Sequence, residues 1–86
     1  MTLTIVTKRR IEKSLNRMVE DGLIPADWDE THMRIISQNL PRAVFNDCMK
    51  EEPEIVAQIP NFGKIAGNES MRWAREILQE KNEVKV

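Results

Sequence analysis

The stretch Glu52–Leu78, EPEIVAQIPNFGKIAGNESMRWAREIL, decides the fold, because it holds a short helix, a tight glycine-containing turn and a second helix. Glu52 and Pro53 form a helix start: proline is preorganised for the first helical position and has no N–H to leave unpaired there. Ile55, Val56 and Ile59 supply one apolar face of a helix running to Ile59. Pro60 ends it, and Gly63 offers a backbone conformation closed to other residues. From Lys64 onward the amides are then expected as the unpaired N-terminal donors of the next helical stretch. A turn of that kind can hold an anion.

Outward from this stretch, helical periodicity continues in both directions. Asn68 caps a last helix over Glu69–Lys81 that buries Met71, Ala74, Ile77 and Leu78. Trp73 lies on the edge of that face, either packed or as a half-exposed anchor for a partner, since tryptophan is enriched among binding hot spots. Upstream, Pro41 opens a helix to Lys50 with an apolar stripe of Val44, Phe45, Cys48 and Met49. Before it, Asp27 and Glu30 make a capping-box-like start to a helix over Trp28–Asn39, with Met33, Ile36 and Leu40 inward and Trp28 roofing the core. Thr7 is an N-cap for a helix to Asp21, where Ile11, Leu15, Met18 and Val19 fall on one stripe. Gly22 sits where a left-handed C′ residue belongs, Leu23 closes back on Met18, and Pro25 prevents continuation. The alternating MTLTIV at residues 1–6 suits an extended, frayed arm, and residues 82–86 are a second extended or flexible end. Val84 and Val86 alternate similarly, which leaves open a small ribbon between the two ends.

The expectation is one all-α domain over residues 1–86, a compact bundle of about five short helices. Its core is drawn from Ile11, Leu15, Met18, Val19, Ile36, Leu40, Phe45, Met49, Ile55, Ile59, Ile77 and Leu78. At 86 residues there is room for one small core and no second domain. No apolar run approaches the roughly 20 residues that cross a bilayer, and the N-terminus lacks the basic-then-apolar order of a signal peptide, so a cytoplasmic protein without membrane contact is expected.

The net charge of −1 conceals a bipolar chain. Residues 1–19 carry five cations against Glu12, residues 20–54 carry nine acids against Arg34, Arg42 and Lys50, and the remainder is nearly balanced. That balance counts against extended phosphate contact and leaves only local basic patches. Arg9, Lys13 and Arg17 recur at helical spacing beside the apolar stripe of the first helix, a face that is either plainly solvated or a docking surface. Cations near a helix N-terminus oppose its dipole by a few tenths of a kcal/mol each, which tilts the reading towards a use. A metal site at His32 with Asp29 and Glu30 lacks a second His or Cys at ligand spacing. Cys48, the single cysteine, falls on an apolar face as a small core residue. With no nucleophile motif, phosphate loop or dinucleotide fingerprint, no enzyme and no cofactor are expected.

The run Ile59-Pro60-Asn61-Phe62-Gly63-Lys64 followed by an apolar helix resembles the helix-hairpin-helix motif, and more closely its version in the C-terminal domain of the bacterial RNA polymerase alpha subunit. There the hairpin meets the DNA backbone in the minor groove. Ala43–Asp47 stands where that family has a short helix entered through a Gly-Asp pair, and Glu52–Ile59 where it has S-P-E-E-L-L-x-I. The chain departs from the family at four places: Ile65 replaces its second basic residue, Ala66 its small hydroxyl residue, Gly67-Asn68 look inserted, and Asn46 stands where glycine is preferred. The resemblance implies nucleic-acid backbone binding through Asn61, Gly63 and Lys64, with Arg72 and Arg75 neutralising phosphates. The bipolar charge and the two replaced positions favour instead a non-enzymatic adaptor or inhibitor, of the kind that phage and accessory regulators of transcription and host machinery provide. Its protein partner would be met through Arg9, Lys13, Arg17 and Trp73.

Overall fold

A computed structural model describes residues 5–84 and contains no strand among them. Four helices follow in order: α1 (Lys8–Glu20), α2 (Met33–Glu51), α3 (Pro53–Ala57) and α4 (Phe62–Val84), with a short 3₁₀ turn at Glu30–His32 before α2. The all-α class holds; the five helices expected are four.

The ends of α1 follow local chemistry. The Thr7 hydroxyl accepts from the Arg10 amide at 3.2 Å. At the other end Gly22 has a φ of 79°, the Leu23 amide bonds the Met18 carbonyl at 2.9 Å and the Gly22 amide bonds Val19 at 3.1 Å. Those two bonds and the left-handed glycine are a Schellman cap.

The helices expected over Trp28–Asn39 and Pro41–Lys50 are one, α2, with Pro41 in its interior. Proline there removes one backbone hydrogen bond and crowds the preceding turn, a cost of about 3 kcal/mol. The offset is visible in the packing. Ile36, Leu40, Val44 and Cys48, four residues apart, are all fully buried, so the stripe stays in the core only if the helix continues through the proline. The carbonyl deprived of its partner is that of Ser37; the side-chain bonds nearby, Asn39 Nδ2 to Ile35 O and Ser37 Oγ to Arg34 O, both at 2.8 Å, go to other carbonyls.

The start of α2 is also displaced from Asp27. Asp29 caps the 3₁₀ turn that leads into α2: its Oδ1 accepts from the Thr31 amide at 2.9 Å and the Thr31 hydroxyl at 2.6 Å. His32 completes a reciprocal box by accepting the Asp29 amide on Nδ1 at 3.1 Å. The bonds from the Thr31 hydroxyl and amide, with the neighbouring His32 ring a smaller influence, hold the Asp29 carboxyl below its ordinary range. Trp28 precedes the helix instead of beginning it; it is buried, with Lys81 Nζ 4.0 Å from its ring centroid.

Toward the C-terminus, Pro53 occupies the first turn of α3 as expected, but α3 ends at Ala57, short of Ile59. Asn68 caps nothing, because α4 already runs from Phe62 through Gly63, Gly67 and Asn68. Phe62, Ala66, Ser70 and Ala74 are buried at four-residue spacing and continue into Ile77 and Leu78, so burial again overrides local helix-breaking residues. α4 runs antiparallel to α2, with the most extensive packing in the molecule between them.

Two residues placed in the core by periodicity are outside it: Met49 is 44% exposed and Ile55 40%. α3 is too short to cover the end of α2, which leaves that corner open. Conversely, the N-terminal arm is not frayed where it is described. Ile5 and Val6 are buried, and their carbonyls accept from Arg10 Nε at 2.9 Å and Trp73 Nε1 at 3.2 Å. At the other end Asn82–Val84 continue α4 and are not extended. The expected ribbon involving Val86, and the arm at residues 1–4, fall outside the described residues.

Leu15 is 2% exposed at the centre of the α1 stripe. Leu15→Ala is expected to cost about 2–4 kcal/mol in chemical denaturation, and an unchanged midpoint would mean that α1 does not belong to the cooperative core. The depressed Asp29 carboxyl sets a pH signature. Its contribution is present above the unfolded value of about 4 and is lost as pH falls through the lower folded value. The melting temperature of Asp29→Ala should therefore lie below wild type at neutral pH, with the two curves converging as the solution is acidified.

Candidate functional site

The corner between α3 and α4 is made by Gln58–Asn61. Here the left-handed residue is Asn61, with φ 57°, and not Gly63. Asparagine tolerates that conformation because its short polar side chain can bond locally. Gly63 lies within the first turn of α4, and a Cβ built on it would stand 3.8 Å from the Phe45 ring, so its place is set by helix packing. Phe45 and Phe62 meet beside it with centroids 5.7 Å apart. Nor are the amides from Lys64 onward free: those of Lys64 and Ile65 both bond the Asn61 carbonyl at 3.1 Å. The anion-holding amides expected after the glycine are spent closing the first helical turn.

The three cations assigned to this corner are strung along α4. Lys64 is exposed at its start; at 1.5 Å per residue Arg72 and Arg75 lie roughly 12 and 16 Å further along the axis. Arg72 is engaged by Glu69 at 2.8 Å and Glu76 at 3.3 Å, and its guanidinium lies 4.6 Å from the Trp73 ring centroid. The bond to Glu69, more than any other influence, raises its already high pKa. Arg75 turns towards α2 and lines a groove with Arg34, Met33 and Met71. The residues do not converge on one point.

Arg9, Lys13 and Arg17 do share a surface. They line one shallow depression on α1 together with Glu12, Asn16 and Glu20, and all six are exposed. Neighbouring cations on the same helix are occupied: Lys8 pairs with Glu80, and Arg10 with Glu51 at 2.9 Å. Among the described residues no carboxylate lies within 4.0 Å of Arg9, Lys13 or Arg17. Trp73, the fourth partner-binding candidate, is not on this surface. Its ring is partly buried and its indole N–H is given to the Val6 carbonyl.

Cys48 is fully buried in α2, and burial pushes its thiol pKa up, which keeps it in the neutral form. Among the described residues no three His, Cys, Asp or Glu side chains are gathered where they could hold a metal ion, and no helix is long and apolar enough to cross a membrane. The α2–α4 groove escaped the sequence. Its stripes, Met33-Arg34-Ser37 and Met71-Arg75-Leu78, have helical spacing, but that they face each other depends on the antiparallel pairing of two helices distant in sequence.

Because Gly63 is helical, Gly63→Ala should raise stability by a few tenths up to about 1 kcal/mol in denaturant unfolding. A marked loss would instead restore a glycine-only turn. Compared with protein-family models, with curated proteins and with solved structures, the chain matches none.

Proposed function

We propose that this chain is a non-enzymatic protein-binding module, an adaptor or inhibitor acting on transcription or other host machinery, that docks through the α1 stripe of Arg9, Lys13 and Arg17 on an acidic surface of its partner. One observation carries the reading. Three cations spaced one helical turn apart stand exposed with no carboxylate within 4.0 Å among the described residues, while Lys8 and Arg10 beside them are paired within the fold. Exposed charges of one sign in a row steer encounter with a complementary surface and set its salt dependence more than its final affinity. Arg9, in the first turn, also opposes the helix dipole, a small cost that binding to an acidic surface would offset.

The second reading, a helix-hairpin-helix-like C-terminal half that contacts the DNA backbone, keeps one feature in its favour. Pro60, Asn61 and Lys64 are exposed at the corner that opens the longest helix. Against it stand the Asn61-bonded amides and the two carboxylates on Arg72.

The two readings part in one comparison. The wild-type chain should retain a protein partner from a lysate of the source cells, and Arg9→Glu/Lys13→Glu/Arg17→Glu should lose it with an unchanged circular-dichroism spectrum. Duplex DNA should show no measurable association at low salt. Should DNA bind, with a log–log salt slope no steeper than roughly −3 and loss in Lys64→Ala/Arg72→Ala/Arg75→Ala, the hairpin reading takes its place.

A further inference from the structure

We propose that the groove between the first half of α2 and the second half of α4 is a separate docking surface, which receives an acidic segment of a partner protein carrying an apolar side chain between its carboxylates. The groove has a volume of about 620 Å³. One arginine rises from each wall: Arg34 on α2 and Arg75 on α4, both exposed and neither within 4.0 Å of a carboxylate among the described residues. Between them the floor is apolar, made by buried Leu78 with Met33 and Met71, which are partly buried against the core.

Each component selects for the occupant. Guanidinium groups donate to carboxylates through a bidentate fork and are enriched where proteins meet. Methionine is unbranched and flexible, so a floor of two methionines adapts to an aliphatic side chain without demanding one shape. A cleft that encloses a small molecule is mostly apolar and covers most of the ligand's surface. This one is a trough between two helices with exposed polar walls, which suits a segment lying along it. Glu30, at the α2 end, is the one acid in the lining and leaves it net positive. An acidic segment therefore places its carboxylates towards Arg34 and Arg75 and away from that end.

The surface is distinct from the α1 stripe, and the test separates the two. The isotope-labelled full chain is titrated with a synthetic amphipathic peptide of alternating Glu and Leu pairs, and with the same peptide carrying Gln for Glu. Amide shifts centred on Met33, Arg34, Met71, Arg75 and Leu78 are expected with the acidic peptide only, at concentrations up to about 1 mM. Arg34→Glu/Arg75→Glu should weaken binding at least roughly tenfold, equivalent to about 1.4 kcal/mol, with Arg34→Gln/Arg75→Gln intermediate. Arg9→Glu/Lys13→Glu/Arg17→Glu should leave it unchanged. The proposal is overturned by shifts that map to α1 and vanish in the α1 variant, by equal binding of the Gln peptide, or by no shift at the highest concentration. It is also overturned if the groove signals move with protein concentration alone, since a second copy's exposed Ile55, which lines one depression with Glu51, Glu52 and Glu54, would then be the occupant.

Discussion

The close approach of α4 to α2 is the constraint on which the rest of the structure depends. It is made possible by a face of small residues on α4, where the buried Ala66, Ser70 and Ala74, with Gly67 beside them, let the two backbones come together. A Cβ on Gly67 would stand 3.6 Å from the Pro41 Cβ, so the glycine fits against the proline that interrupts the α2 ladder. Within this face the one hydroxyl is satisfied internally, Ser70 Oγ donating to the Ala66 carbonyl at 2.6 Å. Larger side chains would separate the helices and uncover the stripe Ile36, Leu40, Val44 and Cys48. Two features that are unfavourable in isolation, Pro41 inside one helix and Gly67 inside the other, thus face each other once the helices meet.

That complementarity also explains which parts of the fold were legible in the sequence. The α1 boundaries depend on local chemistry: a threonine hydroxyl at one end and a left-handed glycine at the other, both readable from neighbours a few residues apart. The α1 stripe and the buried Ile36, Leu40, Ile77 and Leu78 were legible from periodicity alone. What failed was punctuation. Pro41, Gly63, Gly67 and Asn68 have turn or boundary chemistry, and local rules start a new helix at Pro41 and at Asn68 and place a turn at Gly63. The long-range burial that carries α2 and α4 through them is invisible until the partner helix is known. The same blindness applied to Asp29, whose cap is completed by His32, a less common box partner than the glutamate at position 30.

For function, the sequence was informative about charge and misleading about geometry. The α1 stripe was predicted from spacing, and the structure leaves its three cations together on one exposed surface. The turn at Pro60–Lys64 had the residues of an anion-holding corner, but its glycine is helical and its amides are bonded to Asn61. Arg75, assigned to that corner by sequence proximity, faces a different groove across from Arg34. Proximity along a helix counts residues, whereas a binding surface is defined by direction around it, and three residues turn a side chain by about 300°.

The bond from Trp73 to Val6 joins residues 67 positions apart. Loop closure on that scale costs more chain entropy than the short connection that pairs α2 with α4 through α3. The contacts therefore divide by separation along the chain: a closely connected helical pair, and an N-terminal segment whose one indole bond to α4 spans most of the described residues while its guanidinium bond, from Arg10 to Ile5, is local. Because synthesis runs from the N-terminus, Val6 is made long before Trp73, and the bond between them can close only after that part of α4 exists.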